Sequence, residues 1–160
     1  MEDMTIDTGF DEIADLADLT YADTLEYRVK HPVSGAETTW VWTIAGPAHP
    51  IAVALNEKIE RRDQEEESKF TQARIAAAKA NKPEPKRPNS SHSERAARNA
   101  ADLAGRVLHF TPITLNKELI EYSHEAAVKL LSDQSKDWLF GQIWNAVNSK
   151  LGFIKNSAGT

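Results

Sequence analysis

Two short runs in which large apolar residues alternate with polar ones, set either side of a turn-forming segment, restrict how this chain can fold. Leu25, Tyr27 and Val29 occupy every second position of the first run, and Trp40, Trp42 and Ile44 every second position of the other. This is the two-residue period of half-buried strands. Between them His31-Pro32-Val33-Ser34-Gly35-Ala36 supplies a proline of fixed φ and a glycine tolerant of positive φ where the chain must reverse. The pattern predicts a β-hairpin from about Thr24 to Ala45. Both strands carry their large residues on one face, and an isolated two-stranded hairpin is marginal in water. The rest of the chain must therefore cover that face.

Gly46-Pro47 ends the second run, and Pro50 suits the first turn of a helix entered near Ile51. Ile51, Leu55 and Ile59 lie one turn apart and are the expected cover for the hairpin. From Glu60 to Lys69 no apolar residue occurs, but pairs such as Arg61 with Glu65 and Arg62 with Glu66 support a fully solvated helix. Phe70, Ala73, Ala76, Ala77 and Ala80 restore a weak stripe. One helix from Ile51 to Ala80 would be roughly 45 Å long, too long to pack along its whole length in a domain this small. Lys82 to Ser91 has the Pro, Ser and charge content of an extended linker. Ser93-Glu94-Arg95 then reads as the start of a second helix, closing near Gly105 as a C′ glycine. Thr111-Pro112 reads as the cap and first residue of a third, with Leu115, Leu119, Tyr122, Ala126 and Leu130 on one face. Asp133 or Ser135 caps a fourth, with the stripe Leu139, Ile143, Val147 and Leu151, and Phe140 and Trp144 beside it.

The expected fold is α+β: an N-terminal β-hairpin packed on a mainly α-helical body, with a long charged helix and a C-terminal helical pair. A length of 160 residues suits one domain with appendages. It divides into an acidic segment (1–23), the hairpin and long helix (24–80), a Pro/Ser-rich basic linker (81–92) and the C-terminal helical part of the same domain (93–160). The net charge of -5 hides an asymmetry. The chain opens with acids and no Lys or Arg before Arg28, whereas bases outnumber acids between Lys69 and Arg98. Ile6, Phe10, Ile13, Leu16 and Leu19 form a helical stripe among the opening acids. Both a helix lying on the domain and a mobile acidic arm fit it.

The chemistry read from the residues is mostly negative. With no cysteine, disulfides, thiolate metal sites and thiol nucleophiles are out, and a reducing cytosol fits. His31, His49, His92, His109 and His124 show no i,i+4 pairing for zinc. No phosphate-binding glycine loop or Gly-x-Ser-x-Gly elbow occurs. The carboxylates fall on expected solvated faces, where nothing raises a pKa for acid catalysis. The opening residues do not read as a secretory signal, and no run approaches the roughly 20 apolar residues of a membrane-spanning helix. The basic stretch has no aromatic for base stacking except Phe70, which weighs against nucleic acid. No enzyme activity and no cofactor are expected.

The order of five motifs resembles the tail assembly chaperones of siphophages and related bacteriophages. These are the turn His31-Pro32-Val33-Ser34-Gly35, the strand end Thr43-Ile44-Ala45-Gly46-Pro47, the charged helix from Ile51, Phe110-Thr111-Pro112 as a helix start, and Trp138-Leu139-Phe140-Gly141-Gln142-Ile143 with Gly152-Phe153-Ile154. The likeness runs from about Thr24 to Lys155. It departs at Val107-Leu108-His109, where the family often has a Trp, and at His49, where Ser or Asp is usual. The resemblance implies a non-catalytic protein of the host cell cytoplasm that binds the tape measure protein, keeps it soluble and recruits tail tube protein. Self-association is left open. Candidate partner-binding residues are Trp40, Trp42, Trp138, Phe140, Trp144 and Val147, since the aromatics of the last helix exceed one core-facing stripe. Two other readings stand beside this one: a minor tail or connector component of the virion, and a small phage regulator or counter-defence protein that binds nucleic acid or a host factor.

Overall fold

The computed structural model describes residues 15–154, Asp18 by its backbone alone. Most of the proposed N-terminal stripe therefore lies outside the described residues. Its last turn, Leu16–Leu19, is a 3-10 helix with both leucines exposed.

The hairpin forms as the alternation predicts, with β1 at Thr24–Lys30 and β2 at Glu37–Ala45, paired antiparallel. His31 organises the turn: its Nδ1 accepts from the Val33 and Ser34 amides, and its own N–H donates to Ala36 O. Gly35 takes φ +71°, a conformation open to glycine and strained for most other residues. Gly46 ends β2 against the chain entering β1. A Cβ there would stand 2.2 Å from the Ala22 carbonyl oxygen.

Pro50–Lys79 is one helix, α1, whose first turn is capped by His49 Nδ1 accepting from the Ile51 amide. It does not cover the hairpin. Ala52 is its one buried residue, Ile51 and Val53 are exposed, and Leu55 turns toward Gly105. The helical spacing correctly marks an apolar flank but not what that flank faces. The cover comes from three other helices. From α2 (His92–Ala104) come Ala100, Leu103 and Ala104; from α3 (His124–Ser132), Ala127, Leu130 and Leu131; from α4 (Asp137–Asn148), Leu139, Ile143, Ala146 and Val147. The start of α2 lies slightly ahead of the expected Ser93, because Ser91 and Glu94 form a reciprocal capping box. Gly105 does close α2, but with φ -63° it is right-handed and not the left-handed C′ glycine expected.

The largest correction concerns the residues after Gly105. Val107–Phe110 is a strand, β3, that pairs antiparallel with β2 and completes a sheet of order β1-β2-β3. Thr111-Pro112 therefore starts no helix, and the Phe-Thr-Pro part of the resemblance falls at a strand end. Thr111 extends the pairing instead: its N–H donates to Val41 O, and its Oγ1 accepts from the Val41 amide at 3.0 Å. A second hairpin follows, β4 (Ile113–Leu115) and β5 (Glu118–Ile120), turning through Asn116 and Lys117 at φ 51° and 67°. Two central residues of positive φ match the twist of a two-residue hairpin loop. The third helix starts only at His124, capped by Ser123. Leu151, expected on the α4 stripe, lies beyond the end of that helix and is exposed.

An aromatic cluster fills the centre. Trp42 and Phe110 are cross-strand partners with ring centroids 4.9 Å apart, Trp40 stands edge-on to Trp42 at 5.4 Å, and Tyr122 edge-on to Phe110 at 5.4 Å. Backbone acceptors take up most of the polar tips: Trp40 Nε1 donates to Thr111 O, and the Tyr122 hydroxyl to Val107 O. The buried Arg106 guanidinium donates to Ala45 O through Nε and Nη2, and burial lowers its pKa. Trp42 Nε1 is the exception, buried without an acceptor. At the outer side of β1, Gln142 Oε1 accepts from the Lys30 amide and the Tyr27 hydroxyl, while Gln142 Nε2 donates to Lys30 O.

Trp42 is fully buried at the centre of this cluster. Trp42→Ala is therefore expected to destabilise the chain by about 3–5 kcal/mol, the usual range for removing a buried large aromatic. Chemical denaturation followed by circular dichroism checks it, and an unchanged midpoint would refute the placement of the ring.

Candidate functional site

The residues singled out for partner contact separate into two groups. Trp40, Trp42 and Val147 are core residues, inward-facing on β2 and α4, so they support the surface from beneath and do not form it. Trp138 and Phe140 are half-buried against the core, and Trp144 is 44% exposed. The helical repeat explains the division. Leu139, Ile143, Ala146 and Val147 fill the inward stripe of α4, and residues one step round, about 100° away, emerge at its flank. Phe140 and Trp144, one turn apart, stack there with centroids 5.7 Å apart and planes 17° from parallel.

Phe140 also forms one wall of an open groove of about 410 Å³ between α2 and the α3–α4 corner. Ala96 and Leu131 line it as apolar neighbours. Its rim is polar, with Arg95 and Asn99 from α2 facing Asp133 and Asp137. The corner is fixed locally. Asp133 caps the 3-10 turn Gln134–Lys136, accepting from the Ser135 amide and hydroxyl and, at 2.6 Å, from Lys136 Nζ. These contacts, that of Lys136 foremost, hold the Asp133 carboxyl down at a pKa of about 2. The exposed Trp144 ring continues from Phe140 along α4, so groove and ridge together give an apolar strip with charged margins. Such a strip suits contact with another protein chain. Among the described residues, no group of three or more His, Asp or Glu is arranged to hold a metal ion, and no helix is long and apolar enough to cross a membrane.

Sequence reading located the aromatic excess of α4 but missed the opposing wall. Ala96 and Leu131 carry no signal of their own, and they become a surface only when α2 and α3 pack together. No protein-family model, no curated protein and no solved structure matches the chain.

Trp144→Ala should leave stability within about 1 kcal/mol, as at most surface positions. Ile143→Ala, in the core, should cost about 2–5 kcal/mol. Equal losses at the two sites, measured by thermal melting, would remove Trp144 from the surface.

The Asp133 contacts also set a pH signature. Because folding lowers this pKa, the stabilisation is present above the ordinary value of 3.8 and is lost as pH falls toward about 2. In a carbon-detected NMR titration the Asp133 carboxyl should still be ionised at pH 3, and Lys136→Ala should return its midpoint toward the ordinary value. A midpoint near 3.8 in the unmodified chain would refute the cap.

Proposed function

We propose that this protein is a non-catalytic assembly factor, a tail assembly chaperone that binds the tape measure protein in the host cytoplasm and helps recruit tail tube protein. The observation that carries the reading is the stacked pair of half-buried Phe140 and exposed Trp144 beside a groove with Ala96 and Leu131 in its wall and a polar rim. A tape measure protein is a long helical chain whose apolar stripes need cover before assembly, and an amphipathic helix laid in an apolar groove is an established mode of recognition. The charged rim of Arg95, Asp133 and Asp137 would fix the orientation of such a helix more than its affinity. The long α1, solvated over most of its surface, would keep the complex in solution. The order of the hairpin, Gly-Pro and Trp-rich helix motifs supports the same assignment.

Coexpression with a tape measure fragment from the same genome tests it. The wild-type protein should raise the soluble yield of the fragment and copurify with it, while Trp144→Ala, which leaves the core intact, should weaken both. No effect of the wild-type protein on fragment solubility would refute the chaperone assignment. An equal effect of Trp144→Ala would move the contact elsewhere on the surface. Recovery of the protein in purified particles would instead identify a virion component.

A further inference from the structure

Buried Ala52 and the half-buried Leu55, Ile59, Arg62, Phe70 and Ala77 trace a single stripe of α1, at steps that keep one face of the helix. Two different elements cover it. Along the middle of α1 lies α2, joined by the Arg62–Asp102 fork and the Arg98–Glu66 pair. At 1.5 Å per residue, α2 spans about 20 Å against about 45 Å for α1, so it leaves the far end of α1 without a helical neighbour. There the neighbour is the connecting segment 82–91, extended as its composition predicts but not detached from the helix.

Three side-chain contacts hold the middle of that segment to α1, while at its ends Lys82 N–H donates to Ala77 O and Ser90 O accepts from Arg95 of α2. Arg87 donates through both terminal nitrogens to Glu67, at 2.8 and 3.0 Å, and its guanidinium lies 4.4 Å from the Phe70 ring centroid. Arg74 Nε and the Glu84 carboxylate form an ion pair at 2.7 Å. These charged side chains are more than half exposed, so each contact is weak and separately breakable. Between the segment and the helices an open cleft of about 880 Å³ remains, so the segment bridges the cleft without packing into it. Pro83, Pro85 and Pro88 prevent it from becoming helical and joining α1 to α2.

We infer that residues 82–91 form a releasable strap, latched to α1 by Arg87, whose release uncovers the Phe70 end of the α1 stripe. The latch combines a forked ion pair with stacking on an aromatic face, both centred on one guanidinium, so one residue makes two of the three side-chain contacts and only Arg74–Glu84 is independent of it. Release leaves α2 and its own pairs to Arg62 and Glu66 in place. The inference stands independently of the proposed chaperone role.

Distance measurement between two spin labels tests it. Gln72→Cys on α1 and Lys86→Cys at the middle of the strap are exposed positions, and the full chain has no other cysteine to label. In the otherwise unmodified protein the distance distribution should be narrow. Adding Arg87→Ala should broaden it and lengthen its mean, while the near-ultraviolet circular dichroism of the tryptophan cluster stays unchanged. Should Arg87→Ala disturb that cluster, Glu67→Gln decides, since it cuts the same latch from the α1 side. A distribution that stays narrow in the deciding variant, or one already broad in the unmodified chain at low salt, overturns the inference.

Discussion

Burial of the aromatic face of the hairpin is the constraint on which the rest of the structure depends. Trp40, Trp42 and Ile44 present more apolar surface than two strands can shield. The structure answers with β3 alongside and three helices above. Phe110 meets Trp42 across the β2–β3 pair, Tyr122 closes on Phe110, and α4 places Leu139 and Ile143 in the same core. Edge-on and offset contacts between the rings add to simple burial.

What could be read from the sequence follows from the range of the interactions that decide each element. The first hairpin was legible because its alternation and its Pro-Gly turn are local; α1 forms as a helix too, but the expected pairs Arg61–Glu65 and Arg62–Glu66 do not, since Arg62 goes to Asp102 and Glu66 to Arg98. β3 was not legible. Thr111-Pro112 has the local appearance of a helix start, and only the pairing of Thr111 with Val41, seventy positions away, makes it the end of a strand. The false stripe through Leu115 and Leu119 arose because two short strands and their turn happened to repeat apolar residues at helical spacing. The candidate site shows the same limit. The aromatic excess on α4 is a property of one helix, whereas its groove needs Ala96 and Leu131 from two others.

α1 shows how a long helix can be held with little core. Its central contact is polar, Arg62 forked onto Asp102, half-buried on both sides. A hydrogen bond to Asp102 is the main cause of the raised Arg62 pKa. Such a pair adds little net attraction once desolvation is counted, but it has one satisfactory register. Sliding α1 by one turn along α2 would separate Arg62 from Asp102 and Glu66 from Arg98 together. Apolar side chains alone, with Leu55 near Gly105 as the main example, would enforce that alignment less sharply.

Gln142 has a consequence beyond tying α4 to the sheet. Its side-chain amide imitates a residue of a neighbouring strand, taking both the N–H and the C=O of Lys30. At the other end of β1, Phe153 accepts from the Ala22 amide, and Tyr21 bridges Ile154. Counting in twos from Ala22, the outward backbone groups left between these stops belong to Thr24, Glu26 and Arg28, all exposed and two of them charged. An incoming strand would find room for about three residues and meet charge at two of them. A sheet carrying two adjacent tryptophan positions is thereby kept from growing edge to edge into polymers, by one glutamine and a few residues of the C-terminal turn.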